Sequence, residues 1–303
     1  MSNIRKLNTK GLISPPPFLS DNLQYECIMG SVAYGVSDNT SDMDIYGYTI
    51  PPKHILFPHT AGYIVGLDRD IPVFEQYQQH HIQDKTTNKL YDLSIYSILK
   101  YFRLVMDNNP NMIDSLFVPR HCITYSTPLA EHVREHRNLF LHKGAWHKFK
   151  GYAYAQIRKM STKGANAESR RYESFQKYGY DVKFAYHVVR LLNEVEQILL
   201  EKTLDLQRNR EQLKTIRAGE WTQKQIVEYF ERKELSLEEI YNKSDLPHKP
   251  DVETIKRLFM ECLEMHYGSL REVVQTKTDI NMLINDINHV LLKYQSKNID
   301  LQE

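Results

Sequence analysis

The pattern of apolar and polar positions changes once along the chain, near residue 128. Before that point, short runs of β-branched and aromatic residues lie between turn-forming residues, a pattern typical of strands. It predicts three strands, at residues 25–29, 42–50 and 90–95. A helical apolar pattern then covers residues 97–106 and stops at Asn108-Asn109-Pro110, because the residue before a proline disfavours helix.

After residue 128 the apolar positions recur at helical spacing. Over residues 182–200 they form one stripe, which consists of Ala185, Val188, Val189, Leu192, Val195 and Leu199. Further helices are predicted at residues 222–233, 252–266 and 279–293. The sequence therefore predicts an α+β protein, in which a mixed-sheet domain over residues 1–135 precedes an all-helical domain over residues 136–303.

Composition narrows the class of protein. The 303 residues are 41% hydrophobic and 25% charged with a net charge of +1, which is typical of a globular chain and excludes disorder. We find no apolar run long enough for a membrane span and no apolar signal region near the start, so we expect a cytoplasmic protein without membrane association. The three cysteines form no zinc pattern and are expected to be reduced and buried.

Charge is unevenly distributed along this nearly neutral chain. Residues 143–183 contain ten lysines or arginines and three acids, a local excess that suits an anionic substrate. Within this segment we predict a loop at residues 159–177. It carries Lys163, Arg170 and Arg171 and either closes over a nucleotide or has no role.

The segment with the clearest chemistry is a Gly30-Ser31 pair followed, after ten residues, by Asp42-Met43-Asp44. Residues two apart on a strand point to the same face, so Asp42 and Asp44 would direct both carboxylates to one point. Close carboxylates repel each other, and a divalent cation between them removes that repulsion. Gly30 permits close backbone approach to a phosphate, and Ser31 offers a hydroxyl and an amide at the start of a short helix.

In this combination the sequence resembles the nucleotidyltransferases of the DNA polymerase beta superfamily. It is most similar to the bacterial and phage branch that includes RNA-repair-associated polymerase-beta-like proteins. The resemblance spans about two thirds of the chain. Within that span the matching segments are 30–35, 41–44, 91–93, 109–110, 177–183, 187, 190–192 and 216–221.

The resemblance implies a polymerase-beta-like fold and a third catalytic carboxylate on a following strand, which Asp92 matches by position. The alternative for Asp92 is a helix cap. Asp42, Asp44 and Asp92 would bind Mg²⁺, or Mn²⁺ in its place, and a nucleoside triphosphate would be the substrate. Gly30 and Ser31 would hold the triphosphate.

A polar row on the 182–200 helix lies opposite its apolar stripe and includes Lys183, His187, Arg190, Glu194 and Gln197. We expect Lys183 and Arg190 to bind phosphate, with His187 as a further nucleotide contact; the alternative is an ordinary solvated helix face. His80 and His81 are adjacent and are expected to point to opposite faces of a strand, which would prevent them from sharing a ligand.

Two enzymatic functions remain open from the sequence. One is the addition of nucleotides to an RNA or tRNA end, as in RNA repair. The other is nucleotidyl transfer to a protein or small molecule, as in antitoxin and antibiotic-modifying enzymes. A degenerate nucleotide-binding module is a third, non-enzymatic alternative. The sequence indicates no particular protein partner.

Overall fold

A computed structural model of the chain describes residues 1–37, 42–162 and 172–270, together with 284, 287 and 288. These residues pack as two compact units. The first contains residues 1–51 and 75–259, and the second contains residues 52–74 and 260–303. The expected domain boundary near residue 135 stays a prediction.

The described secondary structure begins with two short helices and then forms a sheet interrupted by further helices. The strands are β1 (Leu23–Ile28), β2 (Met43–Thr49), β3 (Gln76–Asp84), β4 (Lys89–Ser97) and β5 (Ile123–Ser126). The helices are α1 (Asn3–Thr9), α2 (Pro17–Asp21), α3 (Lys53–Leu56), α4 (Ile98–Met106), α5 (Pro110–Phe117), α6 (Pro128–Glu135), α7 (Ala145–Thr162), α8 (Tyr172–Tyr178), α9 (Val182–Glu201), α10 (Arg210–Arg217), α11 (Gln223–Lys243) and α12 (Val252–Tyr267). Short 3₁₀ turns lie at Pro58–Ala61, Arg120–Cys122 and Arg137–Phe140.

The described strands form one five-stranded sheet in the order β3-β4-β2-β1-β5. β2 and β4 are parallel, whereas β1 with β2, β1 with β5, and β3 with β4 are antiparallel. The sheet is therefore mixed, and all its strands precede residue 127. The α+β prediction is confirmed.

Most of the predicted elements are confirmed, with shifts of one or two residues at their ends. Ser97 caps α4 by accepting a hydrogen bond from the Lys100 amide, so the helix-cap alternative for Asp92 does not apply. The helix predicted at 222–233 begins as expected at a Thr222 capping box but continues to Lys243. The helix predicted at 279–293 lies outside the described residues, apart from three helical positions.

The first unit packs around β1 and α9. Five of the six residues of β1 are buried, and α9 packs against α7, α10 and α11. The apolar stripe of α9 is buried as predicted. Within the described residues no helix is long and apolar enough to cross a membrane. All three cysteines are buried free thiols, as expected.

The second unit contains α3 and the 3₁₀ turn that follows it. The ring of Phe57 lies 6.0 Å from that of Tyr267, edge to face. The ammonium group of Lys53 lies 5.9 Å from the centre of the Tyr267 ring. These aromatic contacts join the two sequence segments of this unit.

A buried carboxylate joins the start of the chain to the sheet. Glu26 on β1 is fully buried, and its side chain accepts hydrogen bonds from the amides of Asn3 (2.7 Å) and Ile4 (3.0 Å), at the beginning of α1. The Thr124 hydroxyl on β5 donates a further hydrogen bond to it. A negative charge is favourable at a helix N-terminus, so Glu26 stabilises α1 on the sheet.

Replacing Glu26 with glutamine should destabilise the fold. The amide nitrogen cannot accept from the backbone donors of α1, and a buried donor left without a partner costs about 1–3 kcal/mol. We expect Glu26→Gln to lower the free energy of unfolding in urea by that amount. Glu75→Gln, at an exposed ion pair with Lys100, should change it far less. Equal effects of the two substitutions would contradict this role of Glu26.

Candidate active site

The parallel pairing of β2 with β4 brings the candidate carboxylates together. Asp44 and Asp92 are direct register partners on adjacent strands. Asp42 lies just before β2, two residues from Asp44, and all three line the same cavity. Burial raises the pKa of Asp44. The charge of Lys183 acts against this shift, while the negative charges of Asp92 and Asp42 add to it.

The turn after β1 lies directly against Asp44. The Met29 amide donates to the Asp44 carbonyl oxygen at 2.7 Å, and Gly30 follows with φ +66°. A Cβ atom on Gly30 would lie 2.1 Å from the Asp44 Oδ2 atom, so a glycine is required here by both backbone and space. Residues 30–35 form hydrogen-bonded turns that end at Gly35 (φ +68°), in place of the short helix expected at Ser31. Residues 38–41 of the following loop lie outside the described residues.

These elements surround a cavity of about 470 Å³. Its lining consists of Met29, Gly30, Ser31, Tyr34, Asp42, Asp44, Tyr46, Asp92, Asn111, Val182, Lys183, Tyr186, His187 and Arg217. The cavity thus brings together all the predicted site residues except Arg190. Asn111 and Arg217 were missed, although Arg217 lies in the segment 216–221 that carries the resemblance.

Basic and imidazole side chains from the helices face this cavity. Lys183 and His187 lie one turn apart on α9, and Arg217 ends α10. Arg217 Nη1 donates to the carbonyl oxygen of Val36, which attaches α10 to the turn after β1. The cavity therefore has carboxylates on the sheet and cationic groups on the helices, an arrangement suited to a substrate that carries phosphates.

Comparison with known proteins identifies the family. The model of the RNA repair pathway DNA polymerase beta family matches residues 17–261. The chain belongs to this family. It is therefore a polymerase-beta-like nucleotidyltransferase, of a family linked by its description to RNA repair.

Comparisons with solved structures and with curated proteins give no further support for a function. The crystal structure of a nucleotidyltransferase-like protein from Exiguobacterium sibiricum is 12% identical and covers 86% of this chain and 87% of its own, with a TM-score of 0.28. That score is too low to support an inference. No curated protein matches the chain significantly.

Arg190 of this nucleotidyltransferase lies outside the cavity lining. Its guanidinium is buried, with Nη1 bonded to the carboxylates of Asp114 and Glu194. It stacks 4.3 Å from the centre of the Tyr34 ring, and the Tyr34 hydroxyl donates to Asp114 at 2.8 Å. The polar row of α9 is thus not a solvated face, because it is buried from Arg190 onward. A phosphate in the cavity would meet Lys183 and Arg217 before it met Arg190.

This buried cluster connects α9 with the turn after β1. Burial raises the pKa of Asp114 and of Glu194, although Arg190 lowers both. Arg190 Nε also donates to Nδ1 of His187 at 3.3 Å. This hydrogen bond joins the His187 ring to the buried cluster.

His80 and His81 both approach Asp92, so the prediction that they point apart is wrong. The pairing of β3 with β4 shifts between Gln79 and Ile82, and His81 has φ +57°. This bulge lets the His81 amide donate to Asp92 Oδ1 at 2.7 Å. The Nδ1 atoms of His80 and His81 lie 3.6 and 3.9 Å from the same oxygen.

The basic segment 143–183 offers less positive charge to a ligand than its composition indicates, because some of its lysines form ion pairs. Lys148 pairs with Asp107, and Lys150 pairs with Glu234. Both ends of the predicted loop at 159–177 are helical, because α7 continues to Thr162 and α8 begins at Tyr172. Lys163, Arg170 and Arg171 lie outside the described residues.

A side chain at Gly30 should disturb Asp44 specifically. A non-glycine residue at positive φ costs roughly 1–2 kcal/mol, and that cost applies equally at Gly11 (φ +67°), where a Cβ would meet nothing within 4 Å. We expect Gly30→Ala and Gly11→Ala to lower thermal stability similarly. Only Gly30→Ala should lower turnover, by roughly 10²-fold, since a misplacement of about 1 Å can have that effect. Equal turnover in both variants would contradict the close contact with Asp44.

Removing the Arg190 guanidinium should destabilise the protein strongly. Arg190→Met leaves Asp114 and Glu194 buried without their cation, and breaking such a pair costs roughly 3–5 kcal/mol. Arg208→Met removes an exposed arginine paired with Glu201 and should cost less than about 1 kcal/mol. Denaturant unfolding of both variants measures this difference. A loss below 1 kcal/mol in Arg190→Met would show that the cluster contributes little.

Proposed function

We propose that this protein transfers a nucleoside monophosphate from a nucleoside triphosphate to an acceptor hydroxyl at an RNA end, with release of pyrophosphate. The observation that supports this most directly is a single cavity with three carboxylates on the sheet and Lys183 and Arg217 on the helices. An acceptor oxygen would attack the α-phosphorus while the bond to the bridging oxygen breaks, and pyrophosphate would leave toward the cationic side.

The chemistry of the carboxylates fits a divalent cation. Asp42, Asp44 and Asp92 offer only oxygen ligands, as Mg²⁺ and Mn²⁺ prefer. Among the described residues no three His, Cys, Asp or Glu side chains are already grouped as a metal site. Substrate phosphate oxygens would therefore complete the ligand shell, as is usual for Mg²⁺. When bound, the cation would stabilise negative charge on the entering and leaving oxygens.

The remaining groups would bind and orient the substrate. The turn at Gly30 and Ser31 would hold the triphosphate, with Lys183 as a point charge and Arg217 as a bidentate donor. His187, whose Nδ1 atom accepts from Arg190, would contact the substrate through Nε2. We assign Arg190 a positioning role, through His187 and Tyr34, in place of the phosphate contact expected from the sequence.

Asp92 is our candidate for the residue that prepares the acceptor hydroxyl. Its Oδ1 atom accepts from the His81 amide at 2.7 Å, which fixes the orientation of the carboxylate. Its other oxygen can then accept the hydroxyl proton or orient the hydroxyl toward the α-phosphorus.

The link to RNA repair in the family description favours RNA as the acceptor. Transfer to a protein or small molecule is the second candidate, because the same carboxylate arrangement serves both reactions. Salt dependence separates them: binding of an RNA that contacts several phosphates weakens steeply with salt concentration.

Neutralising the carboxylates should abolish transfer without unfolding the protein. We expect Asp42→Asn and Asp44→Asn to lower the rate of pyrophosphate release by roughly 10²–10⁴-fold, which corresponds to several kcal/mol of lost charge stabilisation. The assay uses each labelled nucleoside triphosphate with Mg²⁺ or Mn²⁺ and a pool of RNA. Asp21→Asn, at an exposed carboxylate before β1, is the matched control. Near wild-type rates in either active-site variant would refute the assignment.

The position of the label in the same assay identifies the acceptor. Labelled RNA of increased length supports addition to an RNA end. Label on protein, or pyrophosphate release without labelled RNA, supports the second candidate. No pyrophosphate with either metal ion would contradict the proposed reaction.

A further inference from the structure

The face of the sheet that carries the carboxylates continues into an uncharged aromatic surface. Because alternate residues share a face, Tyr46 follows Asp44 on β2. Ser94 and Tyr96 likewise follow Asp92 on β4. Tyr46 is the register partner of Ser94, and its ring lies 6.2 Å from that of Tyr96, edge to face.

Two neighbouring elements extend this surface. Gln78 on β3 donates to the Ser94 hydroxyl at 3.2 Å. Tyr152 on α7 accepts a hydrogen bond at its hydroxyl from the Asn109 amide at 2.9 Å, and it is 36% exposed. We call Tyr46, Gln78, Ser94, Tyr96 and Tyr152 the aromatic surface.

Arg217 lies on one side of β2, and Gln78, Ser94 and Tyr96 of the aromatic surface lie on the other. The sheet order places β1, with its Gly30-Ser31 turn, on one side of β2 and β4 with β3 on the other. Arg217 is bonded to the turn side through Val36. No member of the aromatic surface carries a charge at neutral pH. A triphosphate would therefore be drawn to the turn side, which leaves the aromatic surface for a neutral, planar group.

We propose that the aromatic surface binds the unpaired nucleobase of the RNA nucleotide that carries the acceptor hydroxyl. This inference rests on the proposed function and adds to it a requirement for a single-stranded end. Tyr46 lines the cavity. The partly exposed Tyr152 is bonded to Asn109, two residues before the cavity-lining Asn111. Both rings can therefore stack on a base of any identity. A ribose attached to a base in this position would lie toward Asp92.

The test measures binding of a single-stranded RNA oligonucleotide with a free 3′ hydroxyl, by fluorescence anisotropy with a label at its 5′ end. We expect Tyr152→Ala to weaken binding by about 5- to 140-fold, the usual range for loss of one stacking aromatic. Tyr152→Phe keeps the ring and should bind within about twofold of wild type.

Tyr154→Ala is the matched control. Tyr154 is a similarly exposed tyrosine on the same helix, but residues two apart on a helix do not share a face, and its ring packs on Phe230. It should bind RNA like the wild type. Thermal unfolding of each variant checks that the fold is retained.

A second oligonucleotide, whose 3′-terminal nucleotide lacks its base, identifies the group that is bound. The wild type should bind it more weakly, by the same factor as the loss in Tyr152→Ala. Tyr152→Ala should bind both oligonucleotides equally, because the base and the ring form one interaction. Equal binding of both oligonucleotides by the wild type, or no RNA binding, would overturn the inference.

Nucleoside triphosphate binding, measured separately, distinguishes the two possible sources of a base. If Tyr152→Ala weakens triphosphate binding and leaves RNA binding unchanged, the surface holds the base of the incoming nucleotide and the inference is wrong. These measurements test binding and do not require turnover. A negative binding result therefore contradicts the inference about the aromatic surface, whereas a wild type that releases no pyrophosphate contradicts the proposed function.

Discussion

The pairing of β2 with β4 creates the interaction on which the site depends, which is the close approach of like-charged carboxylates. Asp44 and Asp92 are held side by side by backbone hydrogen bonds of two parallel strands, and their repulsion is a fixed property of the sheet. Gly30 packs directly against Asp44. Lys183 and Arg217, on the helices, add positive charge to the cavity lining. The sheet thus holds an unfavourable arrangement of negative charges that a bound cation would relieve.

The helices of the first unit hold two parts of the cavity lining in place through a buried ionic cluster. The cluster of Arg190, Asp114 and Glu194 does not itself face the substrate, yet Tyr34 belongs to the same turn as Ser31, and His187 lines the cavity. Two features of the site are therefore fixed by one buried set of ion pairs. Such a set adds less net stability than its attractions alone indicate, because desolvation of the charges offsets much of their attraction.

The sequence predicts features that depend on neighbouring residues and misses those that depend on distant ones. Asp42 and Asp44 are two residues apart in sequence, so their common position at the start of β2 follows from the local sequence. Asp92 was identified from the family resemblance. It lies 48 positions after Asp44, and no local pattern shows that their strands pair. The burial of Arg190 depends on Asp114, from a helix far away in sequence, and a helical wheel alone cannot show it.

Strands β3 and β5 were missed for different reasons. β5 has only four residues, and β3 is rich in glutamine and histidine, which give no apolar alternation. The bulge within β3 was equally invisible, because it requires His81 in a conformation that is uncommon outside glycine. Here the pairing with β4 decides a local conformation that the local sequence does not favour.

The bulge in β3 has a consequence for the solubility of the protein. In the described part of the chain β3 lies at the edge of the sheet, where unpaired backbone groups could recruit a strand from another molecule. A bulge interrupts the regular spacing of those groups, and polar side chains along the strand disfavour a dry contact between sheets. The irregularity that directs two histidines to Asp92 thus also makes this edge a poor template for intermolecular β-pairing.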